Sequence, residues 1–356
     1  MIKFGKKSKD ILEIKTNFIS QNENLFQWQK KLYSFYKKQP YRKNCKNCEN
    51  KLKGINFYKL NIKYIICKNC GHFNGIFDDT KQLSKKFYQT SEQEKYSKIY
   101  VEKEKKDYNK RIKNIYLPKA KFLIENLSKI EKNKNKILKD LNYIDIGCGS
   151  GYFVSSLKKL KVKNVKGFDP SLSMVNYGNL INKFKFLNFK SHDKTKQVIS
   201  AIDKNKKTCV SMIGSLEHIY NQNEILSEIK KKKNIKYLYI VVPCFSPSSF
   251  IEIIFNKNFQ RLLAPQHTHL YTDKSLKYLE KMFGFKIISE WWFGADIVDL
   301  YRNFLINIKK KSNRNNNDST VNLFNKMFLD ALDDLQLIFD KKKLSSEAHI
   351  LYRVNK

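Results

Sequence analysis

The sequence predicts a doubly wound α/β fold: a mostly parallel sheet of seven strands with helices between most of them. Three observations predict it. Apolar stretches of strand length alternate with helix-period stretches from about residue 141 to the end. The first of those strands runs into three glycines within five positions, GCGSG at 147–151. The strand that follows ends in an acid, Asp169. Strand, glycine turn, helix, strand and acid in that order open a parallel sheet that takes its ligand beyond the C-terminal strand ends.

Taken in order, residues 1–40 form a Lys-, Tyr- and Phe-rich extension with helical character around 24–38. A compact cysteine unit follows at 41–80, then a charged, helix-like linker at 81–130. Aromatics recur there at Phe87, Tyr88, Tyr96, Tyr100 and Tyr108, placed along the chain so that the linker could close over the site as a lid. The large domain occupies 131–356, with strands expected at 141–146, 163–168, 184–189, 207–213, 236–242, 285–291 and 346–353. KKKSNRNNNDS at 309–319 is polar and low in complexity, and reads as a loop. The amphipathic VNLFNKMFLDALDDLQLIF after it reads as helix, part of an insertion at about 300–342 before the last strand.

Composition narrows the class of partner. With 41% apolar residues, 20 Tyr and 25 Phe, the chain is globular. Its formal charge of +37 invites a nucleic-acid reading, yet Arg occurs only at 42, 111, 261, 302, 314 and 353, leaving 64 of the 70 cations as Lys. Phosphate and guanine readers recruit the guanidinium fork. The Lys excess, alongside Asn, Ile, Phe and Tyr, is the composition of an AT-rich genome, so nucleic acid is not the expected partner. The N-terminal MIKFGKKSKDILEIK has no apolar stretch of signal h-region length, and no segment has the length of a membrane span. Seven cysteines with four in one cluster suit a reducing compartment, and a cytoplasmic location is expected.

Those four are Cys45, Cys48, Cys67 and Cys70, two C-x2-C pairs separated by eighteen residues. This is the spacing of a closed, four-thiolate structural zinc ribbon, with a redox pair or a chance cluster as the alternatives. Gly71 suits the tight turn in which amides donate to sulfur, and His72 could replace a cysteine. Metal binding would drive the folding of so small a unit.

The glycine loop reads G-x-G-x-G, through Gly147, Gly149 and Gly151, with Asp145 two residues ahead. Dinucleotide folds show G-x-G-x-x-G instead. The form here resembles the first motif of class I S-adenosylmethionine-dependent methyltransferases, whose Rossmann-like fold the strand pattern matches. The resemblance covers roughly residues 115–356. It implies S-adenosylmethionine as the methyl donor, with its amino-acid part against the loop and its ribose on Asp169. It implies an adenine-covering helix in FDPSLSMVNYG, bringing in Ser171 and Met174, and an acid near the adenine amine at Asp193. Ser215, after the fourth strand, completes the expected donor-binding set.

That strand continues into SMIGSLEHIYN, similar to the Leu-Glu-His-Ile stretch at the site rim of many small-molecule methyltransferases. The resemblance places Glu217 and His218 near the transferred methyl, where a His can take a proton from an O–H, N–H or acidic C–H; a purely structural His–Glu pair is the alternative. QHTHLYT resembles an acceptor-side His-x-His segment of glycan and lipid-precursor methyltransferases, with His267 and His269. If the segment is extended both can face one side and contact the acceptor, or make a structural hydrogen bond; a metal pair lacks a nearby third ligand. Trp291 and Trp292 form either an acceptor wall or core.

A zinc ribbon ahead of this pattern resembles methyltransferases of sugar-nucleotide and surface-polysaccharide biosynthesis. The leading expectation is therefore methyl transfer to a sugar nucleotide or another glycan precursor. An rRNA base methyltransferase and a non-catalytic zinc-ribbon binding protein are the alternatives.

Overall fold

The computed structural model of the chain describes residues 1–14, 17–88, 104–190, 194–263, 267–312 and 319–355. Its strands, in chain order, are β1 (Ile2–Phe4), β2 (Gly54–Lys59), β3 (Ile62–Cys67), β4 (Phe73–Gly75), β5 (Asn142–Ile146), β6 (Val165–Asp169), β7 (Leu187–Phe189), β8 (Thr208–Ile213), β9 (Ile235–Pro243), β10 (His269–Leu270), β11 (Lys286–Phe293) and β12 (Glu347–Arg353). The main sheet runs β1-β11-β12-β9-β8-β5-β6-β7. β5 to β9 pair in parallel, and β12 lies antiparallel between β9 and β11. The seven expected strands are all present. The eighth, β1, pairs in parallel with β11 at the sheet edge, Phe4 opposite Trp292. Three residues with a Lys in the middle give no readable period, which is why it escaped the sequence reading.

Burial on both faces explains the unbroken apolar runs. In β9, Leu238, Ile240 and Val242 join one core cluster with Ile144, Val210 and Ile350, while Tyr237, Tyr239 and Val241 face the other with Tyr143, Phe122 and Trp291. Each such side chain contributes about 1.5–3 kcal/mol on leaving water. The helix Leu117–Glu131, opened by Pro118 in its first turn, lays Phe122, Leu123 and Leu127 on that second face. Just ahead of it, Ile112–Tyr116 is a π-helical turn, a feature that often marks functional sites.

The four-cysteine unit forms a second sheet, ordered β10-β4-β3-β2, so its outer strand comes from far down the chain. Helix Asn22–Tyr36 packs Leu32, Tyr33 and Tyr36 against Tyr64, Phe73, Leu262 and Leu270. The unit is also fixed by polar contacts: Asn47 Nδ2 donates to Ser275 O at 3.1 Å and Gln222 Nε2 to Lys46 O at 3.1 Å. Arg42, buried, donates to the carbonyls of Gly75 and Phe77 and pairs with Asp79 at 2.9 Å. Helices Asp296–Ser312, Ser319–Leu329 and Leu332–Lys341 occupy the expected insertion. Asp296 anchors them, accepting from the Ser246 and Ser248 hydroxyls at 2.6 and 2.7 Å and from Ser346 N at 2.9 Å. Among the described residues no helix is long and apolar enough to cross a membrane.

Candidate active site

The C-terminal ends of β5, β8, β9 and β11, with the start of β12, surround a cavity of about 360 Å3. The glycine loop forms one side of it. Gly147, Gly149 and Gly151 all have left-handed backbones, φ 74°, 54° and 76°. A Cβ on Gly147 would lie 2.4 Å from Ser215 Cβ, so the protein's own packing excludes a side chain there. At Gly149 it would meet only Met174 Cε, at 3.5 Å. Of these two positions, Gly149 is the one that leaves room for a ligand against the backbone.

Two carboxylates support the loop. Asp169 accepts from Gly149 N at 2.7 Å through Oδ2 and from Ser171 N at 2.8 Å through Oδ1. Each oxygen keeps acceptor capacity. Burial pushes this carboxyl up to about 6, against the two amide hydrogen bonds. Asp145, almost wholly buried, accepts from Ser211 Oγ at 2.7 Å and lines the cavity; burial raises it to about 7. Ser171 caps the helix Leu172–Asn182 through its side chain, and Met174 projects into the cavity. Ser215 donates its hydroxyl to Ile146 O at 2.6 Å, so it braces the loop from below. Asp193 lies outside the described residues.

Across the cavity are Glu217, His218 and His267. The His218 and His267 rings stack with centroids 5.0 Å apart, and His218 Nε2 is 3.8 Å from Glu217 Oε1. The ligand-capable atoms of all three lie within 4.8 Å of one another. His267 Nδ1 is 3.0 Å from Leu262 O, which fixes Nδ1 as the protonated nitrogen; burial lowers its pKa to about 4, so the ring is neutral. Glu217 is buried, its Oε2 has no hydrogen-bond partner among the described residues, and burial pushes it up to about 8.

Several positions that the sequence left open take one of their alternatives here. His269 does not share this cavity with His267. It is fully buried in β10, 2.9 Å from His72, because pairing with β4 turns it into the four-cysteine unit. His72 is thereby directed at His269 and not at the cysteines. Trp291 and Trp292 are core, about 1% and 0% exposed, with their indole N–H groups bonded to Gly5 O and Glu290; Phe293, Gly294 and Ala295 line the cavity in their place. Tyr108 is also buried: it stacks on Tyr152 and donates to Ser150 O at 2.9 Å, so it props the loop from behind. The side chains of Phe87 and Tyr88, and all of Tyr96 and Tyr100, lie outside the described residues.

The sequence reading missed Lys6, Arg111, Tyr116, Lys119, Arg261 and Glu347, all of which line the cavity. Arg111 and Arg261 carried a signal, as two of only six arginines in a Lys-rich chain. Arg261 makes a forked pair with Asp299, Nη2 to Oδ2 at 2.7 Å and Nε to Oδ1 at 3.0 Å.

The four cysteines are brought together as their spacing required. Cys45 and Cys70 sulfurs are 3.6 Å apart and Cys48 and Cys67 sulfurs 3.7 Å apart. A tetrahedral zinc with Zn–S of about 2.3 Å sets its sulfurs about 3.8 Å apart. Asn74 Nδ2 points at Cys45 Sγ from 3.4 Å. A hydrogen bond from Cys70 holds the Cys45 thiol down at about 4, while Cys70 itself is pushed well up.

Residues 114–290 match a methyltransferase-domain family. No curated protein matches the chain. Among solved structures, the chain is similar to the plantazolicin methyltransferase BpumL in complex with SAH (15% identity, 77% of this chain and 94% of that one, TM-score 0.44). It is also similar to an S-adenosylmethionine-dependent methyltransferase from Archaeoglobus fulgidus (18%, 66% and 94%, TM-score 0.38). A third is the geranyl diphosphate C-methyltransferase of Streptomyces coelicolor A3(2) (12%, 70% and 83%, TM-score 0.41). Overlaps this loose assign neither an acceptor nor a residue.

Glu217 makes stability depend on pH. Between its ordinary value of 4.5 and its folded value of about 8, the folded chain holds a proton that the unfolded chain has released, so its contribution falls as pH rises. Glu217→Gln removes that loss. The variant should gain about 2–4 kcal/mol over the wild type at pH 8.5 and little at pH 5, read as the urea midpoint. An equal gain at both pH values would show that Glu217 is not held protonated.

Proposed function

We propose that this chain, an S-adenosylmethionine-dependent methyltransferase, acts on a sugar nucleotide or another glycan precursor. One observation carries the reading: the Glu217–His218–His267 trio and the glycine loop line a single cavity of about 360 Å3. That volume is in the range of small-molecule sites, about 300–1,000 Å3.

The residues present fit the donor. The space beside Gly149 and the buried Asp169, which has no ion-pair partner among the described residues, suit a ligand that offers hydroxyls to a carboxylate. Gly147, Gly149 and Gly151 shape the loop, Asp169 takes the ribose, and Met174 and the helix it starts cover the adenine. Bound there, the donor supplies a methyl activated on a sulfonium. What remains for the protein is alignment and removal of the acceptor's proton. His218 stands at the end of β8 beside Glu217 and takes that proton; His267, neutral and oriented by Leu262 O, holds the His218 ring in place by stacking. Glu217, protonated at neutral pH, is free to donate a hydrogen bond to the acceptor.

The four-cysteine unit binds zinc, as its sulfur spacing supports, and serves as a scaffold beside the site. All seven cysteines are free thiols, in keeping with a reducing, cytoplasmic setting.

Asp169→Ala should weaken S-adenosylmethionine binding at least ~100-fold, about 2.7 kcal/mol by calorimetry, with an unchanged far-UV spectrum. Undiminished affinity would remove the donor assignment. His218→Ala should lower kcat roughly 10²–10⁴-fold at constant donor affinity, assayed as labelled methyl transfer to a panel of sugar nucleotides, with rRNA as the competing acceptor. Transfer to rRNA alone would overturn the acceptor class. Cys45→Ser should release one zinc per chain by elemental analysis and lower the melting temperature; unchanged stoichiometry would refute the ligand set.

A further inference from the structure

We infer that Lys6 anchors an oxyanion of the acceptor, a phosphate by preference, at the end of the cavity remote from the donor loop; this rests on the reading proposed above.

Lys6 reaches the cavity because of β1. Phe4 is opposite Trp292, Gly5 N donates to Trp292 O at 3.0 Å, and Trp291 Nε1 donates to Gly5 O at 2.9 Å. Gly5 then turns through φ 78°, bending the chain over the C-terminal end of β11 and sending the next side chain inward. There the Lys6 Nζ is sealed from solvent and has no hydrogen-bond partner among the described residues. Its nearest aromatic contact is the Phe293 ring, 5.4 Å to the centroid.

The neighbouring carboxylate does not serve it. Glu347 Oε1 already accepts from Lys119 Nζ at 2.9 Å and lies 2.8 Å from His349 Nε2. Arg261, the other cation on this rim, is committed to Asp299. A buried ammonium without an acceptor costs several kcal/mol unless a ligand supplies one. An incoming oxyanion supplies it. Of the other acids, Glu217 holds its proton at neutral pH, Asp145 stands on the donor-loop side and is raised to about 7, and Asp10 acts on Lys6 by charge without a hydrogen bond.

The donor's own carboxylate is the wrong source by position. Asp169 ends β6 and the glycine loop follows β5, whereas Lys6 lies over β11, and β12, β9 and β8 intervene. Four strand spacings of about 4.8 Å separate β5 from β11. The acceptor therefore lies between, with its reacting atom toward His218 and its anionic group toward Lys6.

The test is calorimetry on the full chain, titrated first with S-adenosylhomocysteine and then, at saturation, with inorganic pyrophosphate or with malonate. Pyrophosphate should bind the wild type, and at least tenfold more weakly Lys6→Gln, while both proteins take S-adenosylhomocysteine equally. Lys3→Gln, on the same strand but with its ammonium over Trp291, should bind pyrophosphate normally and so controls for loss of β1. Tighter binding of malonate with the same dependence on Lys6 would support the oxyanion site and assign the acceptor's anion as a carboxylate. Absent pyrophosphate and malonate binding, binding indifferent to Lys6, or loss of S-adenosylhomocysteine affinity in Lys6→Gln would overturn the proposal. Failure of the wild type to take S-adenosylhomocysteine would appear in the first titration and count against the donor reading separately.

Discussion

The two hydrogen bonds accepted by Asp169 are the constraint on which the site depends. One oxygen holds Gly149 N and the other holds Ser171 N, so a single carboxylate ties the loop after β5 to the turn after β6. Around that tie the loop is packed from beneath by Ser215 and from behind by Tyr108. The backbone is thus held in its left-handed turns before any ligand arrives, and the ordering cost is met in folding and not in binding. The same carboxylate is buried with no ion-pair partner among the described residues, which leaves it poised to accept hydrogen bonds from hydroxyl groups.

The opposite wall is built on other terms. Glu217, His218 and His267 come from two segments that meet only because β8 and β9 are neighbours and the chain after β9 returns past them. Cations there are mostly neutralised in place: Lys119 by Glu347 and Arg261 by Asp299. On this wall the groups left over are a protonated Glu217 and a charged Lys6, while Asp145 and Arg111 add their charges elsewhere in the cavity lining. A surplus of 37 positive charges on the chain says little about the site; the pairing of a few buried groups says much more.

The main sheet was legible chiefly through β8 and β9, whose burial on both faces keeps them apolar along nearly their whole length, whereas β6 and β7 expose Lys166 and Phe189. The glycine loop was legible because left-handed backbone at 147, 149 and 151 restricts the residue type. Contacts between distant segments were not legible. Nothing local to QHTHLYT says that His267 faces the cavity and His269 the second sheet's interior; pairing of two residues with β4 decides it. Trp291 and Trp292 look alike as core and as pocket wall, and the edge strand β1 that covers Trp291 is too short to show a period. Arginine offered a clue that went unused. Arg42, Arg111 and Arg302 are buried, in a chain that otherwise uses Lys for charge, and Arg42 uses its fork to hold two carbonyls and Asp79.

The shared strand of the second sheet also sets an order of events in time. β4 ends at Gly75, but the strand that covers its edge, β10, begins at His269. At roughly 5–20 residues per second of synthesis, the four cysteines leave the ribosome roughly 10–40 seconds before β10 does. Through that interval the thiols are together while one edge of their sheet stands open. If the four thiols hold zinc, as proposed, the ion could be taken up on the nascent chain, before β10 completes their sheet.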